Sequence, residues 1–155
     1  MVLGVVYVRP AASVSLVERV LARIEEALRG TSLPLLLVGD FNCRHPQLGD
    51  SVVPTGKANR LVQFFNNHSL SVLNTRDCVG VCTRGNSVLD LAITSHPHLF
   101  SLRIGDALES DHAVLSVTVN VAAPRVVPQP DMQKHRWDLK RADWHLFQDH
   151  VTALL

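Results

Sequence analysis

The sequence predicts an α/β domain with a mixed or mostly antiparallel sheet and flanking helices, and three observations carry this prediction. Two segments, 15–29 and 58–67, repeat apolar residues at the spacing of an amphipathic helix. Four segments are apolar throughout or alternate between apolar and polar residues, as strands do: 2–8, 35–38, 88–94 and 113–121. The chain has 155 residues, of which 46% are hydrophobic, so it is long and apolar enough to bury one core.

The first predicted helix has its own start and stop signals. Ser15 and Glu18 have the spacing of a capping box, and Gly30 is a typical residue just beyond a helix end. Glu25 and Arg29 have the order and spacing of a stabilising ion pair. We therefore predict a helix over 15–29, with an apolar stripe formed by Val17, Val20, Leu21, Ile24 and Leu28.

The predicted strands differ in how their apolar residues are distributed. The strand at 35–38 is apolar on both faces, which is typical of a strand that is covered on both sides. The strand at 88–94 has one apolar face, and Asp90 lies on the other. The strand at 113–121 alternates most regularly of all. Two short strands complete the set, at 69–73 and 79–83.

The composition changes at residue 122, where the segment AAPRVVPQP brings three prolines. We interpret 1–121 as the domain, 122–133 as an extended proline-rich linker and 134–155 as an amphipathic tail. In this tail, Asp143 is expected to cap a helix whose apolar stripe docks on the domain or on a partner outside this chain. The stripe consists of Trp144, Phe147, Val151 and Leu154.

Overall charge and composition limit the classes of function. A net charge of +1 at pH 7 excludes a strongly basic nucleic-acid clamp, but not a nuclease with a local metal site. The three cysteines, an odd number, are expected to be reduced thiols in a nuclear or cytoplasmic protein. The start, MVLGVVYVRP, lacks the basic region of a signal peptide, so secretion is not expected. No stretch approaches the ~20 apolar residues of a membrane span, so no membrane partner is expected.

Two polar residues follow the apolar strand at 35–38 directly, in the stretch GDFN. In extended backbone, Asp40 and Asn42 would project together while Phe41 turns toward the core. A carboxylate can orient or deprotonate a water molecule or hold a hard cation, and an amide can donate to a developing oxyanion. A turn without chemistry is the alternative, because Gly, Asp and Asn are all turn formers.

One three-residue cluster and two single residues could join such a site. Ser110-Asp111-His112 immediately precedes the last strand, and Asp90 could accept a hydrogen bond from His112 and fix its tautomer. The alternatives are a turn, a solvent-exposed histidine and an edge aspartate. Tyr7, the only tyrosine, is either a plain strand aromatic or a hydroxyl donor to a phosphate.

Several basic side chains could line a path for a phosphate backbone, and the alternative is that they are ordinary surface residues. They are Arg44, His45, Arg60, Arg76 and Arg84.

In their order along the chain, GDFN, VLDLAI and SDH resemble the endonuclease/exonuclease/phosphatase superfamily over residues 2–121. Its members are metal-dependent phosphoesterases with a four-layer α/β sandwich, and they include the apurinic endonucleases. The segments VVYVRP, TGKANRLVQFFNNHSLSVLNT and HRWDLKRADWHLF narrow the resemblance to the endonuclease domain of non-LTR retrotransposon polyproteins, in which a reverse transcriptase follows.

This resemblance implies a role for each candidate residue, with DNA as the substrate. Asp40 would position or activate the attacking water and, with Asp111, would belong to a Mg²⁺ site that also accepts Mn²⁺. Asn42 would donate to the phosphoryl oxygens in the transition state. His112 would hydrogen-bond the scissile phosphate, and Asp90 would orient the His112 ring. Tyr7 would lie near the phosphate. The full set of candidate residues is Tyr7, Asp40, Asn42, Asp90, Asp111 and His112.

The resemblance covers only the second half of the family domain. The first half normally supplies an asparagine and a metal-binding glutamate, and nothing before Tyr7 matches them. Half a sandwich is also expected to leave sheet surface uncovered. We therefore expect a Mg²⁺-dependent DNA endonuclease-like fragment that is impaired by truncation, with a missing N-terminal half-domain or a reverse transcriptase domain as partner. The alternatives are a non-catalytic remnant that binds nucleic acid or protein, and another phosphoesterase of the superfamily.

Overall fold

A computed structural model of the chain describes residues 1–120 and Trp144. The chain divides into two compact units, Met1–Val121 and Ala122–Leu155. In the second unit, Trp144 has helical backbone and an exposed side chain. The predicted linker at 122–133 and the rest of the predicted tail at 134–155 lie outside the described residues, and so do the proposed cap and the other members of the apolar stripe.

The described part of the first unit contains six strands and three α-helices. The strands are β1 (Val2–Tyr7), β2 (Leu35–Asp40), β3 (Ser71–Val72), β4 (Asp90–Thr94), β5 (Phe100–Ile104) and β6 (Leu115–Val119). The helices are α1 (Val14–Leu28), α2 (Gly56–Asn67) and α3 (Leu73–Asp77), with short 3₁₀ turns at Pro46–Leu48 and Pro97–Leu99. Over the part of the chain that the structure describes, no helix combines the length and apolarity needed to cross a membrane.

The strands form two sheets. The first has the order β1-β2-β4-β3, in which β1 runs parallel to β2, and β4 is antiparallel to both β2 and β3. The second is the antiparallel pair β5-β6. The predicted α/β class, with a mixed sheet and flanking helices, is therefore confirmed.

Strand β2 lies between two separate hydrophobic clusters, as its apolar sequence predicts. Leu35 and Leu37 belong to a first core that includes residues of α1 and α2, whereas Leu36 belongs to a second core that includes residues of β5. All three leucines are at most 4% exposed. Helices α1 and α2 thus cover one face of the four-stranded sheet, and α3 and β5-β6 pack on part of the other.

Strands β4 and β6 show the predicted alternation. In β4, Leu91 and Ile93 lie in the first core and Ala92 in the second. In β6, Leu115 and Val117 pack against the second core, while the intervening polar residues are exposed. The two strands therefore bury the faces that their sequences indicate.

The other strand predictions need correction. The predicted strand at 79–83 is wrong, because Gly80 has a φ of +74° and the amide of Val81 bonds the carbonyl of Cys78 in a turn. The predicted strand at 69–73 shortens to Ser71–Val72, because the next residue begins α3. Strand β5, which the sequence patterns did not indicate, depends on pairing with β6.

The start of β4 also differs from its prediction. The strand begins at Asp90 rather than at Val88. The amides of Val88 and Leu89 bond the side chains of Asp50 and Thr83 instead of a neighbouring strand. Side-chain acceptors therefore hold the backbone that leads into this strand.

The N-cap of helix α1 lies two residues earlier than its sequence signal indicates. Ser13, not Ser15, is the N-cap, and its hydroxyl accepts from the amide of Leu16 at 3.2 Å. Ser15 lies inside the helix, and its hydroxyl is 2.9 Å from that of Ser13. The predicted end is confirmed, because the helix stops at Leu28 and Gly30 has a φ of +77°. The predicted ion pair between Glu25 and Arg29 is also present, at 3.7 Å.

The position of the cap gives a test. Ser13→Ala is expected to lower the free energy of unfolding by about 1 kcal/mol, because the amide of Leu16 loses its acceptor. Ser15→Ala is expected to cost clearly less, because its exposed hydroxyl satisfies no backbone amide. Urea denaturation followed by circular dichroism measures both, and an equal or reversed order of the two effects would contradict this assignment.

Candidate active site

Three polar side chains form a row across the first sheet. Tyr7 at the end of β1 is the register partner of Asp40 in β2, and Asp40 is the partner of Asp90 in β4. Residues directly opposite each other on paired strands project from the same face. The row therefore lies on the face that carries the second core, at the end of the sheet where β1 and β2 terminate.

Gly39 allows β2 to run close to β1 just before Asp40. Its φ is +144°, and a Cβ at this position would lie 1.9 Å from the carbonyl oxygen of Val6. No other residue fits without moving one strand away from the other. The glycine of GDFN thus has a steric role that positions the aspartate after it.

Asp40 and Asn42 are in direct contact. The Asp40 carboxylate accepts from the Asn42 backbone amide at 2.9 Å and from its Nδ2 at 2.6 Å, and Nδ2 is also 3.0 Å from the carbonyl oxygen of Val8. Asn42 has a φ of +44°, so a turn joins the two side chains, not the extended backbone that the spacing indicated. Phe41 does turn into the core as predicted, with 1% of its surface exposed.

Asp90 and His112 form the second contact. Nδ1 of His112 lies 2.8 Å and 3.0 Å from the two carboxylate oxygens of Asp90. The side chains are only 14% and 28% exposed. Because a carboxylate accepts hydrogen bonds, Nδ1 carries the proton in this pair, and Nε2 is the nitrogen available to a ligand.

The two contacts come together in one cluster. Ligand atoms of Asp40, Asp90 and His112 all lie within 4.8 Å of one another, so these three residues could hold a metal ion. Asp111 lies outside this group. One of its oxygens bonds Arg84 at 2.6 Å, and the other is 3.9 Å from Nε2 of His112. Its role as a metal ligand, like the roles of the other site residues, stays a prediction.

Each arginine considered for a phosphate path is bound to a carboxylate. The pairs are Arg44–Asp50, Arg60–Glu18, Arg76–Asp77 and Arg84–Asp111. The hydrogen bond from Arg84 holds the pKa of Asp111 below its usual value, and that from Arg76 does the same for the pKa of Asp77. These arginines therefore have anionic partners within the domain.

Sequence reasoning missed Asp50, which braces the loop after β2. Asp50 is 6% exposed and accepts two bonds from Arg44, at 2.8 and 2.9 Å, and one from the amide of Val88 at 3.2 Å. It thereby ties the loop that carries Asn42 to the segment that leads into Asp90. The bond from Arg44 outweighs the effect of burial and lowers the pKa of Asp50. The only signal in the sequence is the opposite charge of these two residues in one short loop.

Asn74 was also missed. It is 2% exposed, its Nδ2 donates to the carbonyl of Asp90 at 3.0 Å, and its Oδ1 accepts from the amide of Ala92 at 2.9 Å. The carboxamide thus continues the hydrogen bonding of β4 where β3 ends. Nothing in a single sequence distinguishes this asparagine from a surface residue.

The described residues of the first unit thus form an α/β domain whose mixed sheet carries an aspartate–histidine cluster at one end. Residues 1–116 match the family model described as endonuclease-reverse transcriptase, and the chain belongs to this family. The resemblance that the sequence motifs indicated is therefore confirmed.

One solved structure supports the same fold. The endonuclease domain of TRAS1, a telomere-specific non-LTR retrotransposon, is similar with a TM-score of 0.60 and 20% sequence identity. The similarity covers 74% of this chain and 55% of that chain, so the match spans about half the length of the TRAS1 domain. No curated protein sequence matches this chain.

The hydrogen bonds that Asp50 accepts from Arg44 and Val88 predict a pH dependence of the folding stability. Asp50→Asn is expected to lower the free energy of unfolding at pH 7 by about 1 kcal/mol, after allowance for solvent around the half-exposed Arg44. Folding lowers the pKa of Asp50, so its carboxylate stabilises the fold fully above the unfolded pKa of about 3.9. This contribution is lost as the pH falls through the folded pKa.

The stability difference between the wild type and Asp50→Asn should therefore shrink as the pH is lowered below about 4. Urea denaturation at a series of pH values measures it. The exposed Asp106→Asn serves as the control and should show little difference at any pH. A difference for Asp50→Asn that does not depend on pH would contradict the assignment.

Proposed function

We propose that this domain is the second half of a Mg²⁺-dependent DNA endonuclease that nicks phosphodiester backbones for retrotransposition. The single observation that carries the proposal is the cluster of Asp40, Asp90 and His112 within 4.8 Å, with Asn42 bonded to Asp40. Asp40, Asp90 and His112 lie far apart in the sequence, and they stand in the motifs GDFN, VLDLAI and SDH on which the family resemblance rests. Membership of the endonuclease-reverse transcriptase family supports the same reaction class.

The chemistry of the donor set suits Mg²⁺. Asp40 would hold the ion with Asp90 as the nearest second carboxylate, and oxygen ligands with several waters are what Mg²⁺ prefers. Asp111 is the further ligand implied by the family, and it would have to exchange its bond to Arg84. Bound Mg²⁺ supplies charge neutralisation and Lewis acidity. Mn²⁺ accepts the same ligands and is expected to replace it.

Asp40 is the proposed residue for the attacking water. Each carboxylate oxygen can accept two hydrogens, and each oxygen of Asp40 accepts one from Asn42. Lone pairs therefore remain to orient a water molecule or to take its proton. The contacts with Asn42 hold the carboxylate in one orientation.

Asn42 is the proposed donor to the phosphoryl group. Its Nδ2 hydrogens bond Asp40 and the carbonyl of Val8. Donation to a substrate oxygen therefore requires one of these bonds to be exchanged. The bond to Asp40 is the one between two site side chains. If this bond is exchanged, Nδ2 of Asn42 donates instead to the phosphoryl oxygen on which negative charge develops.

His112 is the proposed contact to the scissile phosphate. Its Nδ1 is held by Asp90, so Nε2 is available on the ring's other edge. When the ring is protonated, Nε2 donates to a phosphate oxygen while Asp90 stabilises the positive charge. Tyr7, at the other end of the row, is 66% exposed and could donate its hydroxyl to the same substrate.

The reaction can be tested on supercoiled plasmid DNA. The chain is expected to nick it only with Mg²⁺ or Mn²⁺, and Asp40→Asn and His112→Ala should each lower the rate about 100-fold or more. The exposed His98→Ala and Asp106→Asn are matched controls that should nick as the wild type does.

Two outcomes would count against the proposal. A wild-type chain that nicks no DNA at any Mg²⁺ concentration would overturn it for this chain acting alone. Hydrolysis of small phosphate esters in preference to DNA would instead indicate another phosphoesterase of the same superfamily.

The uncovered face of β1 supports a further polypeptide as partner. Leu3, Val5 and Tyr7 are 58%, 80% and 66% exposed, although Leu36, the register partner of Leu3, is buried in the second core. This apolar surface borders the site. Since the structural match spans 55% of the TRAS1 domain, we infer that a complementary half-domain covers this face, with a reverse transcriptase domain as an additional partner.

An apolar face of this kind should bind a hydrophobic dye. Val5→Asp is expected to reduce ANS fluorescence and any concentration-dependent association seen by light scattering, because it places a charge in the middle of the face. Val53→Asp is the matched control, since Val53 is 91% exposed and lies in the loop before α2, outside the sheet. Equal effects of the two variants would show that the face of β1 is not the associating surface.

A further inference from the structure

Thr83 is a fully buried polar residue in a segment made of turns. Its side chain is 1% exposed, whereas Cys82 is exposed and Arg84 is partly exposed. A buried hydroxyl is costly unless it has hydrogen-bond partners, so its contacts indicate what this position does.

The hydroxyl of Thr83 binds the start of β4. Its Oγ1 accepts from the amides of Leu89 and Asp90, each at 2.9 Å. The carbonyl of Asp90 is bonded to Asn74 on the other side. The backbone amide of Asp90 is thus fixed by one buried oxygen atom.

The backbone of Thr83 binds the segment that carries His112. Its carbonyl accepts from the amide of Ala113 at 2.7 Å, and the next residue, Arg84, forms a β-bridge with His112. One residue therefore holds the main chain of Asp90 through its side chain, and the main chain of Ala113, the residue after His112, through its carbonyl.

The same contacts reach the Asp40–Asn42 turn. The carbonyl of Leu89, whose amide bonds Thr83, accepts from the amide of Phe41 at 2.9 Å. Phe41 lies between Asp40 and Asn42. The three segments that supply the site are therefore linked through Thr83 and Leu89.

We propose that Thr83 is a positioning residue for the Asp90–His112 pair. The proposal rests on the proposed function, because it concerns the same site. Loss of the hydroxyl leaves the two part-buried amides of Leu89 and Asp90 without their acceptor, so Asp90 moves relative to His112. Residues that orient the groups of a metal or catalytic site typically change activity or metal affinity about 10–100-fold when they are lost.

Three variants separate positioning from stability. Thr83→Val removes the hydroxyl at constant shape, and Thr83→Ser keeps it. Thr94→Val is the matched control, because Thr94 is also buried, and its hydroxyl bonds the carbonyl of Leu35 and the amide of His96. Thr94→Val also loses two hydroxyl hydrogen bonds, but at the end of β4, whereas the hydroxyl of Thr83 binds the start of β4.

The first readout is the NMR signal of the His112 Nδ1 proton, which needs no activity. A hydrogen-bonded imidazole proton gives a low-field signal that exchanges slowly with water. The signal is expected in the wild type, Thr83→Ser and Thr94→Val, and it should be lost or broadened in Thr83→Val. A wild-type signal that persists unchanged in Thr83→Val would overturn the proposal.

The second readout is plasmid nicking. Thr83→Val is expected to lower kcat about 10–100-fold while KM for DNA changes much less, and Thr83→Ser should restore kcat. Equal losses in Thr83→Val and Thr94→Val would indicate a merely structural role and overturn the proposal. If the wild type does not nick DNA, the proposed function fails, but the NMR signal still decides the role of Thr83.

A third measurement applies if Thr83→Val does not fold. In the wild type, the amides of Leu89, Asp90 and Ala113 are expected to exchange with solvent slowly and at similar rates, because all three bond Thr83. Exchange of these amides as fast as in an unstructured peptide would overturn the proposal.

Discussion

The register of β2 between β1 and β4 is the constraint on which the candidate site depends. Leu35 and Leu37 are buried against the helices, and Leu36 is buried against the second sheet. A slip of one residue would exchange the two faces and place Asp40 on the helical side. Core burial at one end of the strand therefore fixes the direction of the carboxylate at the other end.

Local patterns in the sequence were enough to predict the elements whose burial is regular. The apolar stripe of α1, the two covered faces of β2 and the alternation of β4 are all readable from side-chain order. Strand β5 and the turn at Gly80 were not, because they depend on pairing with β6 and on a positive φ that the apolar composition of 79–83 hides.

The candidate site was predictable in membership and less so in geometry. The polar residues at the strand ends indicated its members, and the family resemblance implied their roles. The structure brings Asp40, Asn42, Asp90 and His112 together, while Asp111 bonds Arg84. The spacing of Asp40 and Asn42 indicated contact for the wrong reason, because a turn and not extended backbone joins them. The buried residues around them, such as Asp50, are defined only by contacts between distant segments.

The site can be damaged by mutation of Gly39, although this residue supplies no reacting atom. Every other amino acid has a β-carbon, and any missense mutation here would direct that carbon into the carbonyl of Val6. A single-base change in the gene would thus displace Asp40 and leave every side chain of the site encoded. An open reading frame with all of its site motifs otherwise intact can therefore encode a chain whose candidate site has already lost its geometry.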